Sequence, residues 1–106
     1  MLNSFSGIGR LGSDPEVTKT GQGLVASFKI AINEFYKEDD ELKKKTHWIP
    51  CVCRDRLAEI AGEFLKKGNQ VAVRGPLNMV RWNDRDDLFV KVLELEFLSS
   101  KQPESV

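Results

Sequence analysis

The stretch Leu57-Ala58-Glu59-Ile60-Ala61-Gly62-Glu63-Phe64-Leu65-Lys66-Lys67-Gly68, with Asn69-Gln70-Val71-Ala72-Val73-Arg74-Gly75 directly after it, constrains the fold more than any other part of the chain. Leu57, Ile60, Ala61, Phe64 and Leu65 recur at i, i+3, i+4, i+7 and i+8, which is one face of a helix. Asp55 is expected as its N-cap. Lys66 and Lys67 suit the negative end of the helix dipole, and Gly68 suits the C′ position. Residues 70–80 then read as a strand. A single short helix with a clean stop, set among strands, suggests a small barrel.

The remaining strands follow from period two. Leu24, Ala26, Phe28, Ile30 and Ile32 share one face of a half-buried strand, and Ser27, Lys29 and Asn33 share the other. Gly21-Gln22-Gly23 is a turn signal before it. Residues 5–11 read as a first strand weakened by Ser6, Gly7 and Gly9, and Asp14-Pro15 ends that region. Residues 37–46 hold acidic and then basic side chains and are expected as a solvated loop or a protruding hairpin tip. A third strand spans residues 47–54, with Pro50 marking an edge or a bulge because proline cannot donate to a ladder. Residues 82–87 form a polar turn, and residues 88–98 a fifth strand. The expected fold class is all-β: a five-stranded OB-fold barrel with one α-helix between strands 3 and 4. One domain over residues 1–98 and a short, disordered C-terminal extension over 99–106 complete the organisation.

Composition excludes several classes. No apolar run reaches the roughly 18 residues of a membrane span, and the N-terminus lacks a basic segment followed by an apolar core, so the expected compartment is the cytosol or a prokaryote-like one. Cys51 and Cys53 are the only cysteines and read as two buried thiols, not a bridge. No H-E-x-x-H, P-loop or paired C-x-x-C motif is present, and the only histidine is His47. Asp84, Asp86 and Asp87 lack calcium-loop spacing and read as a solvated turn. No enzyme, cofactor or metal is expected. The 16 basic and 16 acidic side chains cancel, so any polyanion site depends on where the charges sit.

Two tryptophans carry the functional reading. Cys51 and Cys53 fit a buried row on one face of the third strand, which leaves Trp48, Val52 and Arg54 outward. Trp82 closes the fourth strand before a polar turn, where there is little core to enter. Exposed aromatic rings on a small barrel are a platform on which any unpaired base can stack.

Four motifs then carry a resemblance: Gly9-Arg10-Leu11-Gly12 with Asp14-Pro15-Glu16; Thr46 and Trp48; Leu57-Ala58-Glu59-Ile60-Ala61 with Leu65-Lys66-Lys67-Gly68 and Gln70-Val71; and Arg81-Trp82 with Asp84. In this order and spacing the chain, from Met1 to about Leu98, resembles the bacterial and organellar single-stranded DNA-binding protein family. The resemblance implies an OB-fold homotetramer, with a dimer as the alternative, that covers single-stranded DNA without sequence preference in replication, recombination and repair. It also implies that Trp48 and Trp82 stack on bases. Tyr36 either stacks likewise or packs the base of its hairpin. Arg10, Lys43, Arg56, Lys67 and Arg81 fall where the family places basic or polar contacts.

Departures qualify what is carried over. Arg54 stands where the family commonly has phenylalanine; a guanidinium can still lie flat on a base and also meet phosphate, so the change reads either as stacking traded for charge or as lost affinity. Phe89 matches a family aromatic only approximately and is assigned to core packing. Asn78, Met79 and Val80 replace arginines, which predicts a shallower salt dependence, and Ile49 replaces a histidine at a subunit contact. The family's acidic tail, which recruits replication and repair proteins, has no counterpart in Lys101-Gln102-Pro103-Glu104-Ser105-Val106. A second reading stays open beside the first: an OB-fold accessory protein of a replication-restart or nucleoid complex with weak DNA binding.

Overall fold

Two long strands, joined as one hairpin, carry the architecture. A computed structural model describes residues 2–100. Its strands are β1 (Phe5–Leu11), β2 (Glu16–Thr20), β3 (Gly23–Glu38), β4 (Glu41–Arg54), β5 (Gln70–Gly75), β6 (Leu77–Trp82), β7 (Arg85–Lys91) and β8 (Glu94–Ser99), and helix α1 (Asp55–Phe64) lies between β4 and β5. The hydrogen-bonded path runs β6-β7-β4-β3-β1-β5-β8, with β2 paired to β3. Grouping β5 with β6 and β7 with β8, and setting aside β2, which pairs only with β3, leaves the five strands of the OB fold, with the helix in its expected place.

The two groupings break at matching places. Gly75 ends β5 and Pro76, which has no N–H, separates it from β6. At Gly75 a side chain would run into the Lys91 carbonyl. Opposite, the fifth strand is interrupted at Val92–Leu93, where hydrogen bonding passes from one neighbour to another. The Val92 N–H donates to Val52 of β4 at 2.8 Å, whereas the Leu93 N–H donates to Arg74 of β5 at 2.9 Å. The path is open between β6 and β8, and this covalent step from β7 to β8 spans the gap.

The core follows the expected alternation. Ala26, Phe28 and Ile30 of β3, Cys51 and Cys53 of β4, Val71 and Val73 of β5, and Val90 are buried together. Both cysteines are free. Burial raises the Cys51 thiol to about 12, with the neighbouring Cys53 adding to it, and burial raises Cys53 to about 11. Pro50 pairs with Lys29 in an unbroken register, and β7 meets β4 only at Cys51 and Val52, so the proline stands at an open edge as expected.

The helix differs from its sequence reading at both ends. Arg54, not Asp55, is the N-cap, and no side chain caps the helix. The strand continues through Arg54, paired to Val25, so the chain turns at Asp55 with φ 53°, and the Asp55 carboxylate lies against Gly23 instead of the first turn. At the other end Leu65 is the C-cap, extended at φ −90° and ψ 139°, so Gly68 falls beyond C′. Asn69 sets this stop: its Oδ1 accepts from the Lys66 N–H at 2.7 Å and its N–H donates to Lys66 O at 3.0 Å. Gly68, at φ 90°, instead donates its N–H to Leu11 O. Ala58, Ala61 and Leu65 are the buried residues of this segment. Phe64, expected on that face, is 61% exposed because the helix ends at it.

Residues 37–46 are a hairpin and not a loop. Asp39 and Asp40 form its two-residue tip, both at positive φ (52° and 62°), between the paired Glu38 and Glu41. That is the backbone of a type I′ turn, whose twist matches the flanking strands. Asn83 and Asp84 make the same turn between β6 and β7. Ser99 closes β8, and residues 101–106, the expected disordered extension, lie outside the described residues.

Candidate nucleic-acid interface

The continuous β3–β4 register decides which side chains share a surface. Ala31 pairs with Trp48, Asn33 with Thr46, and Phe35 with Lys44. Ile30, Cys51 and Cys53 point inward, so these pairs occupy the outer face. Arg10 extends this row onto β1, because it pairs with Ala31. The indole of Trp48 is 52% exposed. Arg10, Asn33, Lys44, Thr46, Trp48 and Gln70 line one shallow hollow. The Thr46 hydroxyl donates to Asn33 Oδ1 at 2.8 Å, which fixes the rung next to the indole.

The same face continues toward β7. Lys29, Pro50, Val52, Arg54, Val80 and Phe89 contribute to a second hollow, with Arg85 and Asp87 at its rim. Phe89, assigned to the core from sequence, is half-buried here and outside the core cluster. The reason is parity: Val90 takes the inward position beside Cys51, so Phe89 faces out.

Charge differs between the two faces of the hairpin. On the outer face Lys29, Lys44 and Arg54 form no ion pair among the described residues. On the other face Lys43 meets Glu38 at 3.5 Å and His47 meets Glu34 at 3.0 Å. The His47 hydrogen bond, helped by the charges of His47 and Lys45, holds the Glu34 carboxyl below its usual range. Cations with no acidic partner are the ones a phosphate chain neutralises most readily.

The structure therefore divides the nine residues singled out from sequence. Trp48, Arg54 and Arg10 lie on the outer face. Arg10 is partly committed, since Nη1 donates to the carbonyls of Gly68 and Ser100, each at 2.9 Å. Tyr36 and Lys43 are register partners on the opposite face of the arm. Arg81 pairs with Asp86 at 3.3 Å, on the face of Met79 and Leu88. Arg56 lies in the first turn of α1, 3.9 Å from Glu59, and Lys67 lies in the turn after the helix; neither lines the two hollows. Trp82 ends β6 opposite Arg85, and its side chain lies outside the described residues. Sequence reasoning passed over Lys29, Lys44, Phe35 and Phe89 as contacts. The signal for Phe35 was its parity with Lys29 and Asn33.

Among the described residues, no three of His, Cys, Asp and Glu gather to hold a metal, and Asp86 and Asp87 are engaged by Arg81 and Arg85. No described helix is long and apolar enough to cross a membrane. The surface is thus an open, partly aromatic strip with uncompensated cations.

Two comparisons bear on it. The model of the single-strand binding protein family matches residues 2–99. A solved structure, the Plasmodium falciparum SSB complex with ssDNA, is similar with a TM-score of 0.79 and 30% sequence identity, covering 93% of this chain and 96% of that one.

Proposed function

The chain belongs to the single-strand binding protein family, and from that premise we propose that it binds single-stranded DNA along the outer face of β3, β4 and β7. The observation that carries the placement is the half-exposed indole of Trp48, set in one surface with Lys29, Lys44 and Arg54. Bases of any identity stack on the ring, and the cations take the phosphates, so recognition needs no sequence. Coverage of exposed strands during replication, recombination and repair is the role this chemistry suits. The family reading also supports a non-enzymatic protein and a homotetramer. Light scattering that reports one or two chains per particle would remove the tetramer.

The deciding experiment is a poly-dT titration at two salt concentrations, read by tryptophan fluorescence. Strong quenching is expected, with log K falling against log salt by about 0.7 per phosphate engaged. Three free cations on this face set that slope near −2, to order of magnitude. Absence of quenching with retained fold would refute the binding face, and a partner captured in place of DNA would favour the accessory-protein reading.

A further inference from the structure

We infer that the hollow over Ala31 seats one backbone phosphate of the bound strand, held by the side-chain amides of Asn33 and Gln70. This rests on the binding face proposed above and adds to it two contacts that carry no charge. The register builds the hollow. Gln70 of β5 pairs with Arg10 of β1, Arg10 with Ala31 of β3, and Ala31 with Trp48 of β4. These four side chains therefore stand in one row on one face. Ala31 is the smallest of them, so its place is a floor, with the indole on one side and Arg10 on the other, two strand spacings or about 10 Å away. The Asn33–Thr46 rung closes the side toward the arm, and Lys44 lines the hollow beyond it.

The donors and acceptors select the ligand. The Thr46 hydroxyl occupies Asn33 Oδ1 at 2.8 Å, and the Ser99 hydroxyl occupies Gln70 Oε1 at 3.3 Å. Both amides are thereby oriented, and what they leave open are donors: Nδ2 of Asn33 and Nε2 of Gln70 have no hydrogen-bond partner among the described residues. Arg10 is held at the edge of the hollow by the carbonyls of Gly68 and Ser100, and no carboxylate lines it. Two amide donors between two cations suit an anionic acceptor. The phosphate flanking a base stacked on Trp48 is the acceptor that DNA brings there. An amide bonds a phosphate oxygen without neutralising its charge, so it adds affinity and orientation but no salt dependence. Thr46 is a positioning residue in this scheme, because its hydroxyl sets which end of the Asn33 amide is open.

The test measures oligonucleotide affinity at several salt concentrations for variants with wild-type melting temperatures. Asn33→Ala and Gln70→Ala are each expected to bind oligo-dT about three- to tenfold more weakly, with the slope of log K against log salt unchanged. Lys44→Ala, the charged control, should lower that slope by about 0.7. Asn33→Asp keeps an acceptor for Thr46 but sets a negative charge in the hollow, so it should bind more weakly than Asn33→Ala. Thr46→Val should weaken binding and Thr46→Ser restore it; equal loss in both removes the positioning role. The losses should match on oligo-dT and oligo-dC, and a loss confined to oligo-dT would assign the amides to a base carbonyl and overturn the phosphate. Unchanged Asn33→Ala and Gln70→Ala beside a weakened Trp48→Ala overturn the inference and leave the binding face standing. If Trp48→Ala is unchanged as well, the binding face itself is wrong.

Discussion

The indole of Trp48 lies across the backbone of Gly12: a β-carbon built on Gly12 would stand 2.5 Å from Cζ3 and 2.8 Å from Cη2 of the ring. The chain after β1 thus acts as a floor for the tryptophan, and Gly12 holds its place there because the floor must be flat. The Gly12 N–H donates to Lys29 O at 3.1 Å, which ties this floor to β3.

Gly12→Ala should therefore displace the ring without unfolding the barrel, since the clash is with an exposed side chain and not with backbone. We expect a near-wild-type melting temperature, altered Trp48 emission, and loss of up to about 1–3 kcal/mol of single-strand affinity, the contribution of one stacked base. Unaltered emission and affinity would show that the ring does not depend on this floor.

Arg54→Ala tests the cationic half of the surface. Arg54 is exposed and makes no ion pair among the described residues, so its removal should leave stability within about 0.5 kcal/mol. The salt slope of binding should fall by about 0.7, one phosphate's share on a single strand. A slope that stays the same while affinity drops would assign Arg54 to stacking alone.

Gly75→Ala addresses the fold. Its added methyl meets the Lys91 carbonyl, a backbone atom at the handover between β7 and β8 that cannot rotate away. Overpacking of this kind costs about 1–3 kcal/mol, and urea denaturation should show it with an unchanged binding face. Wild-type stability would mean that the β7–β8 break relaxes freely.

The thiols predict a pH dependence. An ordinary cysteine ionises near 9.0, whereas burial holds Cys51 and Cys53 protonated to about 12 and about 11. Between those limits the unfolded chain binds fewer protons than the native one, so stability is lost as pH rises from about 9 toward 12. Below pH 9 this effect is absent. Alkylation at pH 8 should be on the order of 100-fold slower in the folded protein than in urea, and equal rates would contradict the burial.

Much of this was legible in the chain. The α1 segment and the inner face of β3 announce themselves because Ala61, Leu65, Ala26, Phe28 and Ile30 bury a repeating set of side chains. Trp48 was readable as outward because Cys51 and Cys53 claim the other face. Strand β2 was missed because all five of its residues are exposed, which leaves no apolar alternation to read. The arm was obscure for a related reason: beyond Asn33 the residues of β3 are exposed, so Phe35 and Tyr36 have no core to declare their sides. Only the register counted from the Asp39–Asp40 tip separates Tyr36 from Trp48. The break at Val92–Leu93 carries no glycine or proline, because its cause is an exchange of partners between distant strands.

That tip has a further consequence for how such a gene can change. A codon gained at Asp39 or Asp40 alters only the end of the hairpin, and the rungs below keep their partners. A single codon gained within the ladder, between Asn33 and the tip or between the tip and Trp48, slides one strand past the other and turns side chains over to the wrong side. Viable descendants should therefore vary the arm's reach at its crown, or by paired insertions on both legs, while the distance from Trp48 to the barrel stays constant.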